Sequence, residues 1–104
     1  MKKIFPFHAP GREDLKVLEA IKIDVSKYLK RERRKVLPEG VDFWDFRCRI
    51  GPDRESPANA HPAEVPGAID AVARSGAPEV YVEILACAGH RTKKPVAAPP
   101  GEDS

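Results

Sequence analysis

The stretch from Lys27 to Ile50 reads KYLKRERRKVLPEGVDFWDFRCRI and decides how the chain folds. Its first part, up to Lys35, is rich in Lys and Arg, and cations are favourable at the negative end of a helix dipole. Pro38 and Gly40 then end the helix. After this break, apolar and polar residues alternate as they do in a strand. The stretch therefore predicts a helix, a turn and a strand in direct succession.

The helix that ends in this stretch begins near Arg12. Glu13 and Asp14 come next, and acidic residues in the first turn suit the positive end of the helix dipole. Further along, apolar residues recur at intervals of three and four, and the lysines lie mainly on the other side. The apolar positions are Leu15, Leu18, Ile21, Val25, Tyr28 and Leu29. The spacing predicts a helix over Arg12–Lys35.

The strand that follows, Val41–Ile50, has two different faces. The apolar face is expected to pack against the helices, and it carries Trp44, Phe46, Cys48 and Ile50. The other face is polar apart from one aromatic ring, and it carries Phe43, Asp45, Arg47 and Arg49. This alternation predicts that Trp44 and Phe46 mainly hold the helix in place.

The remaining segments complete a small α/β domain over residues 1–90. Strands are predicted at Lys2–Phe7 and Glu79–Ala86, a second helix at Ala63–Arg74, and a loop at Gly51–Pro62. The order β-α-β-α-β predicts a largely parallel sheet of three strands with both helices packed on one face. Residues 91–104 are basic and proline-rich, and they predict a disordered C-terminal tail.

The charge of the chain is unevenly distributed. The formal net charge is +2, yet residues 1–38 hold eleven Lys or Arg against five Asp or Glu, and residues 39–86 hold four against nine. Such asymmetry permits an anionic partner, and it equally permits two halves that attract each other on folding.

Two cysteines without C-x-x-C spacing, Cys48 and Cys87, indicate small core residues in a reduced, cytoplasmic protein. No apolar run reaches the length of a signal peptide or of a membrane span, which needs about 20 residues.

The basic helix end is the first candidate site. Several clustered cations can neutralise phosphates, so this segment predicts contact with RNA, a ribonucleoprotein or another anionic partner. The cations are Lys27, Lys30, Arg31, Arg33, Arg34 and Lys35. The alternative is a solvated helix end that complements its own dipole or pairs with the acidic middle of the chain.

The polar face of the sheet is the second candidate. Phe43 and Tyr81 beside Arg47 and Arg49 would resemble the platforms on which RNA-binding domains stack bases. The alternative is an ion pair between Arg47 or Arg49 and Glu83 on a neighbouring strand. Further cations that could join the contact lie in the tail, at Lys93 and Lys94.

Two other functions remain open. The uncovered sheet face or its edge could serve a protein partner or a homodimer. A small enzyme would use Asp45, Glu83 and His90, and it would require these three side chains to converge. No phosphate loop or nucleophile motif is present, and the cysteines and histidines lack the clustered spacing of a zinc site. The sequence therefore predicts no metal and no cofactor.

Two stretches resemble a known family. KRERRKVLPEGVDFWDF at residues 30–46 and VYVEILACAGHR at residues 80–91 are similar to a family of small uncharacterised bacterial proteins that form a domain of unknown function. The resemblance implies a bacterial, cytosolic protein. It brings no catalytic or binding residues with it.

Overall fold

The computed structural model describes residues 1–90. The elements are β1 (Lys2–Pro6), α1 (Asp14–Arg33), β2 (Phe43–Gly51), β3 (Ala58–Ala60), α2 (Val65–Arg74) and β4 (Glu79–Gly89), with a single 3₁₀ turn at Pro62–Glu64 before α2. The predicted helices and strands are all present, with ends shifted by three residues or fewer. The predicted tail at 91–104, with Lys93 and Lys94, lies outside the described residues.

The sheet has four strands in the order β1-β4-β2-β3, and every neighbouring pair is antiparallel. The prediction of three largely parallel strands is therefore wrong on both counts. β1 and β2 do run in the same direction, as expected for strands joined through a helix, but β4 inserts between them and runs the opposite way. The fourth strand, β3, is only three residues long and lies inside the segment predicted as a loop.

The helix α1 turns a narrower face to the core than its sequence predicts. Its buried residues form a row at every fourth position, namely Val17, Ile21, Val25 and Leu29. Leu15 was expected on this stripe but is 66% exposed. The helix ends at Arg33, and Gly40 adopts a φ of 83° in the turn toward β2.

The core lies on the side of the sheet that faces the helices. Val80, Val82 and Ile84 of β4 are fully buried there, and Phe46 of β2 joins them. Trp44 is half-buried, and its Nε1 donates to the main-chain oxygen of Lys35 at 2.9 Å. The predicted apolar face of β2 is thus confirmed, and Trp44 ties the end of α1 to the sheet.

One charged side chain joins the two helices. Lys22 Nζ lies 3.0 Å from Asp70 Oδ1 on α2 and 3.1 Å from Glu19 Oε2 on its own helix. The hydrogen bond to Asp70, followed by the one to Glu19, raises the pKa of Lys22. The ion pair with Asp70 therefore links α1 to α2 beside the apolar residues that both helices bury in the core.

Ile84 and Leu85 test where the core lies, because these neighbours on β4 face opposite sides of the sheet. Ile84 is fully buried and Leu85 is 42% exposed. We expect Ile84→Ala to lower the free energy of unfolding by about 2–5 kcal/mol through the cavity it leaves. Leu85→Ala is the matched control and should cost under about 1 kcal/mol. Urea denaturation measures both, and equal losses would contradict a core confined to the helix side.

Candidate functional site

The cations at the end of α1 are all exposed, as the sequence predicts. They are Lys27, Lys30, Arg31, Arg33, Arg34 and Lys35. The ion pairs found among residues 1–90 join none of them to the acidic segment 39–86. The ion pairs within residues 1–90 therefore give no support to the interpretation that this cluster pairs with the acidic middle of the chain.

A buried carboxylate accounts for two of the cations. The side chain of Glu32 is 11% exposed, and its Oε2 lies 3.0 Å from Lys35 Nζ and 3.8 Å from Arg31 Nε. The guanidinium of Arg31 also stacks on the ring of Tyr28, at 5.3 Å from the ring centre. Lys35 and Arg31 thus compensate a carboxylate that would be costly to bury alone.

Arg33 contacts an aromatic ring of the sheet rather than the carboxylate of Glu32. Its guanidinium lies 5.5 Å from the ring centre of Phe46, on the helix side of β2. It borders a cavity of about 370 Å³ between α1, α2 and β2, which we call the α1–α2 groove. Leu29, Phe46 and Ile69 line its apolar floor, and Lys30 lies with Arg33 among its polar lining residues. Sequence reasoning missed this groove because it depends on how closely the two helices approach.

Three of the cations take part in none of these ion pairs or ring contacts within residues 1–90. Lys27, Lys30 and Arg34 form no ion pair within residues 1–90. Their spacing of i, i+3 and i+7 places them along one exposed face of the helix, which points away from the buried row and meets the rim of the α1–α2 groove at Lys30. We call Lys27, Lys30 and Arg34 the cationic face.

The predicted aromatic platform does not assemble on the other side of the sheet. Phe43 is 37% exposed, with its ring against Gly89, whereas Tyr81 is 5% exposed. In the strand register Phe43 lies opposite Gly89 and Tyr81 opposite Gly51. The two rings are therefore eight residues apart along β4, or roughly 27 Å.

Arg49 has a cross-strand partner, as the alternative interpretation predicts. It lies directly opposite Glu83, with Arg49 Nη1 3.9 Å from Glu83 Oε2. Arg47 lies opposite Leu85. Both arginines are on the uncovered face and are separated by the sheet from the helices, so they do not form one patch with the cationic face.

Glu83 is buried on the uncovered face and is held by Tyr81. The hydroxyl of Tyr81 donates to Glu83 Oε1 at 2.8 Å, and Glu83 is 9% exposed. This hydrogen bond, together with burial and the carboxylate charge, raises the pKa of Tyr81. Strand alternation correctly placed Tyr81 and Glu83 on one face, but it does not show that they bond to each other.

The candidate catalytic residues do not converge. Asp45 lies opposite Cys87 and Glu83 opposite Arg49, so the two carboxylates are four residues apart along the ladder, or about 14 Å. Asp45 Oδ1 instead accepts from the main-chain nitrogen of Phe46 at 2.9 Å. His90 is exposed at the end of the described chain.

The two cysteines lie on opposite faces of the sheet, so the prediction of core cysteines is confirmed for Cys48 and wrong for Cys87, which is on the uncovered side. Burial raises the pKa of the Cys48 thiol, and the nearby Arg33 opposes this shift. Within residues 1–90 no three His, Cys, Asp or Glu side chains are close enough to hold a metal ion. Across the same residues, neither helix has the length and apolar character needed to cross a membrane.

The fold and its surfaces define a small α/β domain with a four-stranded antiparallel sheet covered by two helices on one face. Residues 1–95 match the model of a family described as "Family of unknown function (DUF6172)", and the chain belongs to this family. Neither the search of curated proteins nor the search of solved structures found a match.

The bond between Tyr81 and Glu83 makes a prediction for alkaline pH. Because the pKa of Tyr81 is raised, the folded protein holds the phenolic proton more tightly than the unfolded chain does. The resulting stability is present below the ordinary tyrosine pKa of about 10 and is lost as the pH rises through the folded value.

Ultraviolet titration in a Tyr28→Phe background isolates Tyr81, since the chain has two tyrosines. Glu83→Gln should shift the pKa of Tyr81 back toward its ordinary value, because it removes the carboxylate charge that the phenolate must oppose. A Tyr81 titration that is the same with Glu83 and with Gln would contradict the assigned cause.

Proposed function

We propose that this domain binds RNA through the cationic face of α1. The observation that carries the proposal is that Lys27, Lys30 and Arg34 are exposed on one helix face and form no ion pair within residues 1–90. Arg31 and Lys35 border this face but already compensate Glu32. The proposal therefore rests on three cations rather than six.

The expected contact is with phosphates rather than with bases. The three cations span about 10 Å along the helix axis, at 1.5 Å per residue. Lysine and arginine side chains on an exposed helix neutralise phosphates without reading sequence, and such binding weakens steeply with salt. Tyr81 is excluded as a stacking residue because it is buried, and Phe43, Arg47 and Arg49 are on the far side of the sheet.

We also propose that the protein acts in the cytoplasm of a bacterium. The support is the resemblance of residues 30–46 and 80–91 to bacterial proteins, together with two thiols that lie on opposite faces of the sheet as free cysteines.

A second candidate function is self-association through the uncovered sheet face. Phe43 and Leu85 are 37% and 42% exposed there, and both lie on the central strands. Apolar side chains on an uncovered sheet face are what a protein interface buries.

The first test measures RNA binding against salt. Lys27→Gln, Lys30→Gln and Arg34→Gln together should weaken the binding of a labelled single-stranded RNA in fluorescence anisotropy. The slope of log affinity against log salt should become shallower by about 2, at about 0.7 per phosphate contact on a single strand. The reason is that fewer counterions are released on binding.

The matched control removes the same charge elsewhere on exposed positions, through Arg12→Gln, Lys16→Gln and Arg74→Gln. It should keep most of the slope. Equal losses in both triple variants would show attraction to net charge alone, and no salt-dependent binding by the unmodified protein would refute the proposal.

The second test addresses self-association. Sedimentation equilibrium should show a dimer that Leu85→Glu disrupts, because a carboxylate cannot be buried unpaired at an apolar interface. Leu15→Glu is the control, since Leu15 is exposed on the helix layer and not on the sheet. A monomer at every protein concentration would end this candidate.

A further inference from the structure

The edge of the sheet beside β2 is left partly uncovered. β3 pairs with β2 only over Cys48–Ile50, whereas β2 extends from Phe43 to Gly51. The chain leaves the sheet at His61 and Pro62, where it enters the 3₁₀ turn. Within residues 1–90, the segment Phe43–Arg47 therefore has β4 on one side and no strand on the other.

Two contacts show which backbone groups point to this open edge. The carbonyl oxygen of Asp45 lies 3.6 Å from Cys87 Sγ, so it faces β4. The main-chain nitrogen of Phe46 donates to the side chain of Asp45 instead of to the backbone of a neighbouring strand. Because successive residues of a strand point their N–H and C=O groups to opposite sides, the groups of Trp44 and Phe46 point outward.

This edge is less protected than the one at the other end of the sheet. The outer edge of β1 carries Lys2, Lys3 and Pro6, which discourage pairing with another strand. The open segment Phe43–Arg47 carries no lysine and no proline; its charged side chains are Asp45, which covers one of the outward amides, and Arg47 at its end. Apolar strand edges are normally guarded unless a partner uses them.

Depressions lie on both sides of the same edge. The α1–α2 groove, which includes Trp44 and Phe46, opens on the helix side. A shallower depression of about 910 Å³, which includes Arg47 and Leu85, lies toward the uncovered face. His61 borders both. A strand added to the edge would point alternate side chains into these two spaces.

We propose that the Trp44–Phe46 edge binds an extended peptide by strand addition, with an acidic side chain of the peptide in the α1–α2 groove. The charge of the groove favours this occupant, because Lys30 and Arg33 line it above an apolar floor and Lys30 has no ion-pair partner within residues 1–90. The groove also contains one carboxylate, that of Asp45, which accepts from the main-chain nitrogen of Phe46. The third cation of its lining, Lys22, is already paired with Asp70 and Glu19. The inference rests on the strand edge and goes beyond the proposed RNA contact, although the two surfaces share Lys30, which belongs to the cationic face and also lines the groove.

Hydrogen exchange in the full-length protein tests the edge directly. The probes are a synthetic peptide of alternating Val and Glu, its Val and Gln counterpart, and a Val and Glu peptide with N-methylated backbone amides. In the free protein the Trp44 amide should exchange faster than those of Asp45 and Arg47, which face β4. The Val and Glu peptide should slow exchange at Trp44 at least about tenfold, since this amide gains an acceptor. The effect at Phe46 should be smaller, because its amide already donates to Asp45 in the free protein.

Side-chain variants separate the charge contribution from the backbone contribution. Lys30→Gln with Arg33→Gln should weaken the Val and Glu peptide by about threefold to tenfold and leave the Val and Gln peptide unchanged. Asp45→Ala should tighten both peptides, because it removes the acceptor that competes for the Phe46 amide. The N-methylated peptide should not protect either amide.

The outcomes distinguish this proposal from its rivals. Unchanged exchange at Trp44 with the Val and Glu peptide would refute it. Protection that rises with protein concentration alone would assign the edge to a second copy of the chain, and protection by the RNA oligonucleotide would assign it to nucleic acid. Either result would also overturn the peptide proposal. Loss of RNA binding in Lys27→Gln with Arg34→Gln, which leaves both groove cations in place, together with unchanged peptide protection at Trp44, would support the peptide proposal and show that it is independent of the RNA contact.

Discussion

The position of β4 between β1 and β2 is the constraint on which the rest of the structure depends. β4 contributes the fully buried Val80, Val82 and Ile84, and it supplies the hydrogen-bonding partner of both neighbouring strands. Since β1 and β2 run in the same direction, an antiparallel strand between them satisfies both ladders at once. Both helices pack on the face that these three strands form, and the end of β2 that extends past β3 borders the α1–α2 groove.

The cations at the end of α1 divide into groups with different physical roles. Arg31 and Lys35 neutralise the buried Glu32, and Arg33 packs on Phe46. Each of these three cations therefore already makes a contact within the fold. Cations that look equivalent in the sequence at the end of α1 therefore have different roles in the folded protein. Only side chains without such a role can give binding energy to a partner without first breaking an internal contact.

Local patterns predicted the elements and most of their faces, because helix and strand periodicity depend on nearby residues. The faces of β2 followed from alternation alone, whereas α1 ends at Arg33, ahead of the Pro38 and Gly40 that were predicted to end it. The order of the strands in the sheet could not be predicted from the sequence, because the chain gives no local signal that β4 inserts between β1 and β2. The prediction that Leu15 is buried was wrong, because the position of the sheet determines which row of α1 residues packs against the core. Tyr81 carried no sign of its bond to Glu83, and the α1–α2 groove depends on the separation of two helices that are distant in sequence.

The central position of a strand that comes so late in the chain has a consequence for synthesis. Until Glu79–Gly89 has left the ribosome, β1 and β2 cannot pair, because a gap of one strand separates their places in the sheet. Before that point the nascent chain holds both helices and three strands, and β1 and β2 lack the strand that lies between them, which leaves apolar surface exposed to chaperones and to aggregation. The sheet is completed only when the last strand joins the two strands that were made before it.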